Sequence, residues 1–140
     1  MKKAKPIDQI AALPLRWDKT GKLRVLMVTS RDRGRWVMPK GWQMDGKKPW
    51  RAAEIEALEE AGAVGFVSDD PIAHYHYDKR LDDGSTVLCR VFLYPLIVEK
   101  LKRRWKESKP RKRHWFSPNK ASRLVEAEEL SIFLNAFSRK

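Results

Sequence analysis

The sequence predicts an α+β fold, a mixed β-sheet packed between helices, on three observations. Short segments rich in β-branched and aromatic residues alternate with turn residues through the first forty positions and again from about 64 to 99. One alanine-rich stretch, PWRAAEIEALEEAG at 49–62, has the composition and the terminal residues of a helix. Two helical patterns close the chain after residue 117. A chain of 140 residues has the size of one domain and can bury a core without covalent staples, so a single domain over 1–140 is expected.

Residues 7–17 and 22–30 are apolar-rich and read as strands, separated by the turn-like DKTG at 18–21. RWVMP at 35–39 reads as a short third strand stopped by Pro39, and residues 41–46 between two glycines as a loop. The helix then starts at Pro49, suited to a first turn, and stops at Gly62. VGFV at 64–67, IAHYHYDKR at 72–80 and STVLCRVFLYPLIVE at 85–99 follow as strands, the last two joined by the turn LDDG at 81–84, with HWF at 114–116 as a further strand. Ser117 and Pro118 are an N-cap and first-turn pair for a helix through about Val125, and ELSIFLNAF closes the chain with apolar periodicity.

Composition narrows the function classes. Cys89 is the single cysteine, so no intramolecular disulfide forms, and no apolar run approaches the roughly 20 residues that span a bilayer. The first 17 residues are basic, but Pro14 breaks their apolar stretch and no cleavage site follows, so no secretory leader is read and a cytoplasmic setting is expected. The formal net charge of +12 concentrates polyanions, and the charge is clustered: residues 100–115 hold nine Lys or Arg against Glu107 alone. Phosphate-bearing partners are expected, and membranes are not.

Inside this basic chain, Glu56, Glu59 and Glu60 crowd the last turns of the alanine helix. At 100° per residue they fall within one arc of about 100°, next to a small face of Trp50, Ala53, Ala57 and Ala61 that can press closely on a sheet. The macrodipole disfavours negative charge there by a few tenths to about 1 kcal/mol each, and the i, i+4 pair Glu56 and Glu60 adds a similar cost. Within the helix only Arg51 is basic, a turn or more away. Uncompensated carboxylates of this kind hold a hard divalent cation such as Mg²⁺ or Mn²⁺, although a solvated acidic face has the same spacing. His74 and His76, two apart on a strand, are read as structural rather than as zinc ligands, because no cysteine accompanies them. Cys89 is read as a small buried apolar residue, Trp115 as core, and Trp105 as an aromatic free to stack on a base or a guanidinium.

The stretch from Gly41 to Ala63 resembles the signature of the Nudix hydrolases, GX5EX7REUXEEXGU with U a bulky aliphatic residue. Gly41, Glu56, Glu59, Glu60 and Gly62 fall on the pattern, whereas Lys47 and Ile55 stand at its isolated Glu and its Arg, and Ala57 and Ala63 at its aliphatics. RKRHWFSPNKASRLV at 111–125 and VLMVTSRDRGRWVMPKG at 25–41 are similar to segments of the diphosphoinositol polyphosphate phosphohydrolases, which also cleave dinucleoside polyphosphates; the resemblance runs from about Gln9 to Phe137.

The resemblance implies an α/β/α sandwich and metal-dependent hydrolysis of a phosphoanhydride in a polyanionic small molecule, with Mg²⁺ or Mn²⁺ as cofactor. It implies Glu56, Glu59, Glu60 and the Lys40 carbonyl as metal ligands, and Glu56 and Glu60 as catalytic residues, with one of the three glutamates as base. Arg31, Arg33, Arg35, Lys40, Lys79, Arg80, Arg90 and Lys112 are the candidates to hold phosphate oxygens. In the family the isolated Glu and the Arg brace loop to helix; both are missing together here, so an altered brace through packing of Ile55 is expected. The rival reading is a nucleic-acid-binding module, or an RNA-end pyrophosphohydrolase, that uses residues 100–113 with Trp105 interleaved.

Overall fold

A computed structural model describes residues 5–138; residues 1–4, the start of the segment weighed as a leader, and 139–140 lie outside the described residues. The elements are β1 (Ile7–Trp17), β2 (Leu23–Thr29), β3 (Trp36–Val37), β4 (Lys40–Trp42), α1 (Pro49–Ala61), β5 (Ala63–Val67), β6 (Ala73–Arg80), β7 (Thr86–Leu101), β8 (Arg113–Phe116), α2 (Pro118–Leu124) and α3 (Glu128–Phe137). They build one mixed sheet of eight strands with α1 on one face and α2 and α3 on the other. No helix among the described residues is long and apolar enough to cross a membrane.

The parallel pair β1–β7 is the spine, in register from Ile7 opposite Cys89 to Leu15 opposite Ile97. Each spine strand changes partner on its outer edge. β1 pairs antiparallel with β4 through residues 9–11 and with β2 through 15–17, while β7 pairs with β6 through 86–93 and with β5 through 96–101. Pro14 and Pro95 sit at these handovers. The nitrogen of Pro14 points, like that of Ala12 two residues earlier, to the edge where β4 has ended and β2 has not begun, and the carbonyl of Pro95 accepts from Ser68 N beyond the end of β6. A proline in a central strand removes a ladder bond; here neither position has one to lose.

Strand alternation divides the core. Ile10, Ala12, Leu26, Val28, Tyr94 and Leu96 face α1, whereas Ala11, Leu13, Val25, Met27, Val91 and Leu93 face α2 and α3. Ala52, Ala53, Ala57 and Ala61, all without exposed surface, let the backbone of α1 approach the first set. Ser117 caps α2 by accepting from Lys120 N at 3.1 Å, as its place before Pro118 predicts.

Two expectations are corrected. Gly41 and Trp42 are not loop but strand β4, three residues long and held by β1, too short to show an alternation in the sequence. Ile55, expected to brace the entry to α1 by packing, is partly buried and is not among the apolar residues packed on the core beneath α1. Instead Gln43 Nε2 donates to the Lys47 carbonyl at 3.1 Å, and Met44 and Trp50 pack on the core beneath α1.

Candidate active site

The carboxylates are placed by α1 and β4. α1 lies with its alanine face on the sheet, so Glu56 and Glu60, one turn apart, are carried along the edge of the buried face beside β4. The Glu56 carboxylate rests against Gly41, where a Cβ would overlap it, which explains a glycine in a strand. Glu60 is only 5% exposed, with Lys40 N donating weakly to its Oε1 at 3.4 Å. Glu59 turns to the other side and meets Lys106 at 3.4 Å, in a shallow groove with Leu58, Lys102, Arg104 and Trp105. Glu54 pairs with Arg51 at 2.6 Å on the outer face.

The last turn of α1 has no basic residue of its own, but the expectation that nothing compensates its glutamates is overturned by a distant segment. The chain after β7 folds back over the end of the helix. Glu107 N donates to Glu59 O at 3.0 Å, Trp105 Nε1 to Glu60 O at 2.9 Å, Arg113 Nη1 to Ala61 O at 2.8 Å and Lys102 N to Gly62 O at 2.8 Å. A helix leaves its last carbonyls without intrahelical partners, and here one segment supplies four in succession. Arg113 also stacks on Trp105, its guanidinium carbon 3.8 Å from the ring centroid.

Arg111 enters the carboxylate cluster from this segment. Its Nε donates to Glu107 Oε1 at 2.7 Å and its Nη1 to the Thr29 carbonyl at 2.9 Å, and its Nη2 lies 3.7 Å from Glu60 Oε1. Burial pushes Glu60 up to about 8; Arg111 opposes this, and the charge of Glu56 adds to it. Burial, then the charges of Glu59 and Glu107, push Glu56 up to about 7. Burial also pulls the Lys40 ammonium down, against the attraction of Glu60.

A cleft of about 850 Å³ opens over Glu60 and Gly41. Arg31, Arg33, Arg35, Lys40, Lys79 and Arg80 all line it, as does Arg111. The 30–35 turn presents the first three: Ser30 N and Oγ engage the carbonyl and the amide of Arg35, and Gly34 takes a φ of 65°. Arg35 also pairs with Glu126 at the turn into α3. Lys40 lies over the Tyr77 ring at 5.1 Å, and Lys79 over Trp42 at 5.8 Å. Two candidates are placed elsewhere. Arg90 pairs with Asp8 at 3.0 Å across the β1–β7 spine, and the backbone of Lys112 is bonded to Thr29.

Sequence reasoning missed Arg111, Glu107, Gln9 and Tyr77. Tyr77 Oη donates to Gln9 Oε1 at 2.6 Å in the cleft wall, a contact between residues far apart in the chain. The one signal available was Glu107, a lone acid in a basic run. Away from the cleft, His76 is bonded through Nδ1 to Glu129 at 2.8 Å, and Cys89 is buried, in keeping with their structural readings.

The donor chemistry fits a hard cation. Glu56 and Glu60 are carboxylates raised by burial and by the charges of neighbouring glutamates, a state that a divalent ion relieves, and one or two carboxylates with phosphate and water oxygens suffice for Mg²⁺. Among the described residues no three His, Cys, Asp or Glu side chains surround one point, so the protein would contribute the two carboxylates and the Lys40 carbonyl rather than a closed cage.

Comparison with known proteins agrees with this architecture. "Nudix hydrolase 12, mitochondrial" of Arabidopsis thaliana is 32% identical over 125 residues, 87% of this chain and 62% of that protein, so the chain spans about three fifths of that relative's length. Among solved structures, the Caenorhabditis elegans Ap4A hydrolase aligns with a TM-score of 0.66 at 20% identity over 96% of this chain and 98% of that one. The Escherichia coli dihydroneopterin triphosphate pyrophosphohydrolase aligns with a TM-score of 0.71 at 18% identity, covering 96% and 99%. The NUDIX domain profile matches residues 8–137, nearly the whole chain, and with the helix, the glycines and the glutamates in the places described, the chain belongs to the Nudix family.

Proposed function

We propose that this chain is a metal-dependent pyrophosphohydrolase that cleaves a phosphoanhydride bond in a highly phosphorylated small molecule, of the diphosphoinositol polyphosphate or dinucleoside polyphosphate class. The observation that carries the reading is the pair Glu56 and Glu60: Glu60 is buried and lines a cleft walled by seven Lys and Arg side chains, and the half-buried Glu56 lies one turn before it against Gly41, which lines the same cleft.

Glu56, Glu60 and the Lys40 carbonyl would hold Mg²⁺ or Mn²⁺, with Glu59 the remaining glutamate of the motif. When bound, such an ion neutralises charge on phosphoryl oxygens and lowers the pKa of a water. The chain's own groups do the rest. Arg31 and Arg33 on the 30–35 turn and Arg80 at the end of β6 line the cleft and hold phosphate oxygens, which aligns the bond to be cleaved. One of Glu56, Glu59 and Glu60 takes the proton of the attacking water; without metal, burial holds Glu56 and Glu60 toward the protonated form, and with a cation bound they return to the ionised form that can accept it. Lys40, stripped of part of its solvation, delivers positive charge where it is poorly screened.

The nucleic-acid reading loses much of its basis, because Trp105, Arg111 and Arg113 of the basic segment are turned inward onto α1 and Glu107. The cytoplasmic setting stays a proposal beside a relative whose name places it in mitochondria, and fractionation of cells expressing a tagged chain decides it.

The test is a screen of phosphoanhydride substrates with Mg²⁺ and with Mn²⁺, with identification of the released products. At least one polyphosphorylated compound is hydrolysed, and chelation abolishes the activity reversibly. Activity that survives exhaustive chelation, or RNA affinity that falls steeply with salt and ignores Mg²⁺ in a protein without turnover, overturns the reading.

A further inference from the structure

We propose that Arg111 is a positioning residue that serves as the resident counter-charge of the carboxylate cluster, so that a divalent cation is bound in competition with its hold on Glu60. The inference rests on the metal-dependent reading above and adds a residue that tunes it.

The guanidinium is fixed at two of its three nitrogens. Nε is bonded to Glu107 at 2.7 Å and Nη1 to the Thr29 carbonyl at 2.9 Å. Thr29 is itself pinned, its N donating to Lys112 O at 3.0 Å while its Oγ1 accepts from Lys112 N at 2.9 Å, so the base of the Arg111 side chain cannot drift from β2. The side chain is about nine-tenths buried, with an exposure of 12%. Nη2 is thereby aimed at Glu60 but stops at 3.7 Å, beyond hydrogen-bond length. The hold on Glu107 is tight and directional; that on Glu60 is electrostatic and loose. A cation arriving at Glu60 meets a carboxylate that is easily drawn away, whereas Glu107 stays with Arg111. The fork also explains why arginine and not lysine stands here, since a compact ammonium does not present separate donors to Glu107 and Thr29 while directing a third toward Glu60.

A purely structural arginine and a resident counter-charge differ in what their loss does to metal affinity. Loss of a support loosens the site and weakens binding. Loss of a competing charge strengthens it, because the cation then faces Glu60 without a rival and Glu107 is released to join the donors.

The measurement is Mn²⁺ binding to the full chain without substrate, by electron paramagnetic resonance, in wild type, Arg111→Met, Arg111→Lys, Glu107→Gln and the double variant. Arg111→Met binds Mn²⁺ about tenfold more tightly than wild type, while Arg111→Lys, which keeps the charge, stays within about threefold. Glu107→Gln frees Arg111 to close on Glu60 and weakens binding by a similar factor. The double variant has the net charge of wild type and returns to within about twofold of it. Lys109→Met, which removes an exposed charge from the same segment, changes affinity less than about twofold. Arg111→Met with unchanged or weaker binding overturns the inference and leaves the hydrolase reading standing, as does a double variant that fails to recover. If Arg111→Met does not fold, Glu107→Gln decides: unchanged or tighter Mn²⁺ binding overturns the proposal. A wild type that binds no Mn²⁺ overturns the metal-dependent reading and the inference together.

Discussion

The basic side chains of the cleft wall and the inward-turned Arg113 of the basic run at 100–113 have the same chemistry and opposite surroundings. Arg31, Arg33, Lys79 and Arg80 stand on turns and strand ends and face an open cleft. Trp105, Glu107 and Arg113 face the end of a helix, and their donors terminate on Glu59, Glu60 and Ala61, while Arg111 lies between the two regions, lining the cleft and bonded to Glu107 and Thr29. The denser run of charge in the sequence is therefore partly a structural clamp, and the sparser one is the surface that can receive a ligand. Local density of Lys and Arg says that acceptors exist; whether they are carbonyls of the same chain or phosphates of another molecule is decided by what the fold brings opposite.

The sharpest way to break this division is at the carboxylates that both regions serve. Glu60→Gln and Glu56→Gln each lower kcat by about 10²-fold or more, while Glu54→Gln, tied to Arg51 on the far side of α1, stays within about twofold. Steady-state kinetics on the best substrate of the screen checks this, and equal losses at Glu54 and Glu60 contradict the helical face assigned to catalysis.

At the cleft wall, the combined substitution of Arg31, Arg33 and Arg80 by alanine raises KM about tenfold or more for a substrate with five or six phosphates, and clearly less for one with two. A ratio of kcat/KM values unchanged by the triple substitution removes these cations from substrate recognition. At the clamp the effect is on stability. Trp105→Phe keeps one aromatic ring but loses the bond to Glu60 O and part of the surface under Arg113, costing about 1 to 2 kcal/mol, and Arg113→Ala costs about 2 kcal/mol through the lost bond and stacking. Denaturant unfolding measures both, and Lys102→Ala, whose backbone alone takes part in the clamp, stays within about 0.5 kcal/mol.

A further effect is on pH. Glu56 and Glu60 have folded pKa values of about 7 and about 8, raised above the ordinary 4.5. Their contribution to stability is fully present below about 4.5 and is lost as pH rises through 7 to 8, because the unfolded chain then releases protons that the folded state holds. Metal-free protein therefore loses thermal stability between pH 6 and 8.5. Added Mg²⁺ offsets more of that loss at the upper end, and Glu60→Gln flattens the slope. Thermal unfolding with and without Mg²⁺ across this range gives the comparison.

Much of the fold was legible because its signals are local. The apolar run of β1, the alanine face of α1 with its closing glycine, and the Ser117–Pro118 start of α2 each specify conformation within a few residues. The acidic edge of α1 followed from helical geometry alone. What escaped notice is non-local: Arg90 is neutralised by Asp8, 82 residues away, and Arg111 reaches Thr29 across the same separation. β4 escaped for another reason, since KGW is a strand only because β1 offers it an edge.

The handover of partners at Pro14 and Pro95 has a consequence for how the chain comes to be folded. The hairpin β6–β7 and the β1–β2 ladder close over short turns, but they are joined only by the parallel β1–β7 pair, whose partners lie 82 residues apart. Contacts of such separation pay loop-closure entropy before they return any stabilisation, and they slow folding. On a ribosome adding about 5 to 20 residues per second, β1 waits about 4 to 16 s for its neighbour to be made. For that interval the apolar stretch from Ile10 to Leu15 lacks its parallel partner, and α2 and α3, which cover the face of Ala11, Leu13 and Leu15, are made later still, so the earliest part of the sheet to be synthesised is among the last to be protected.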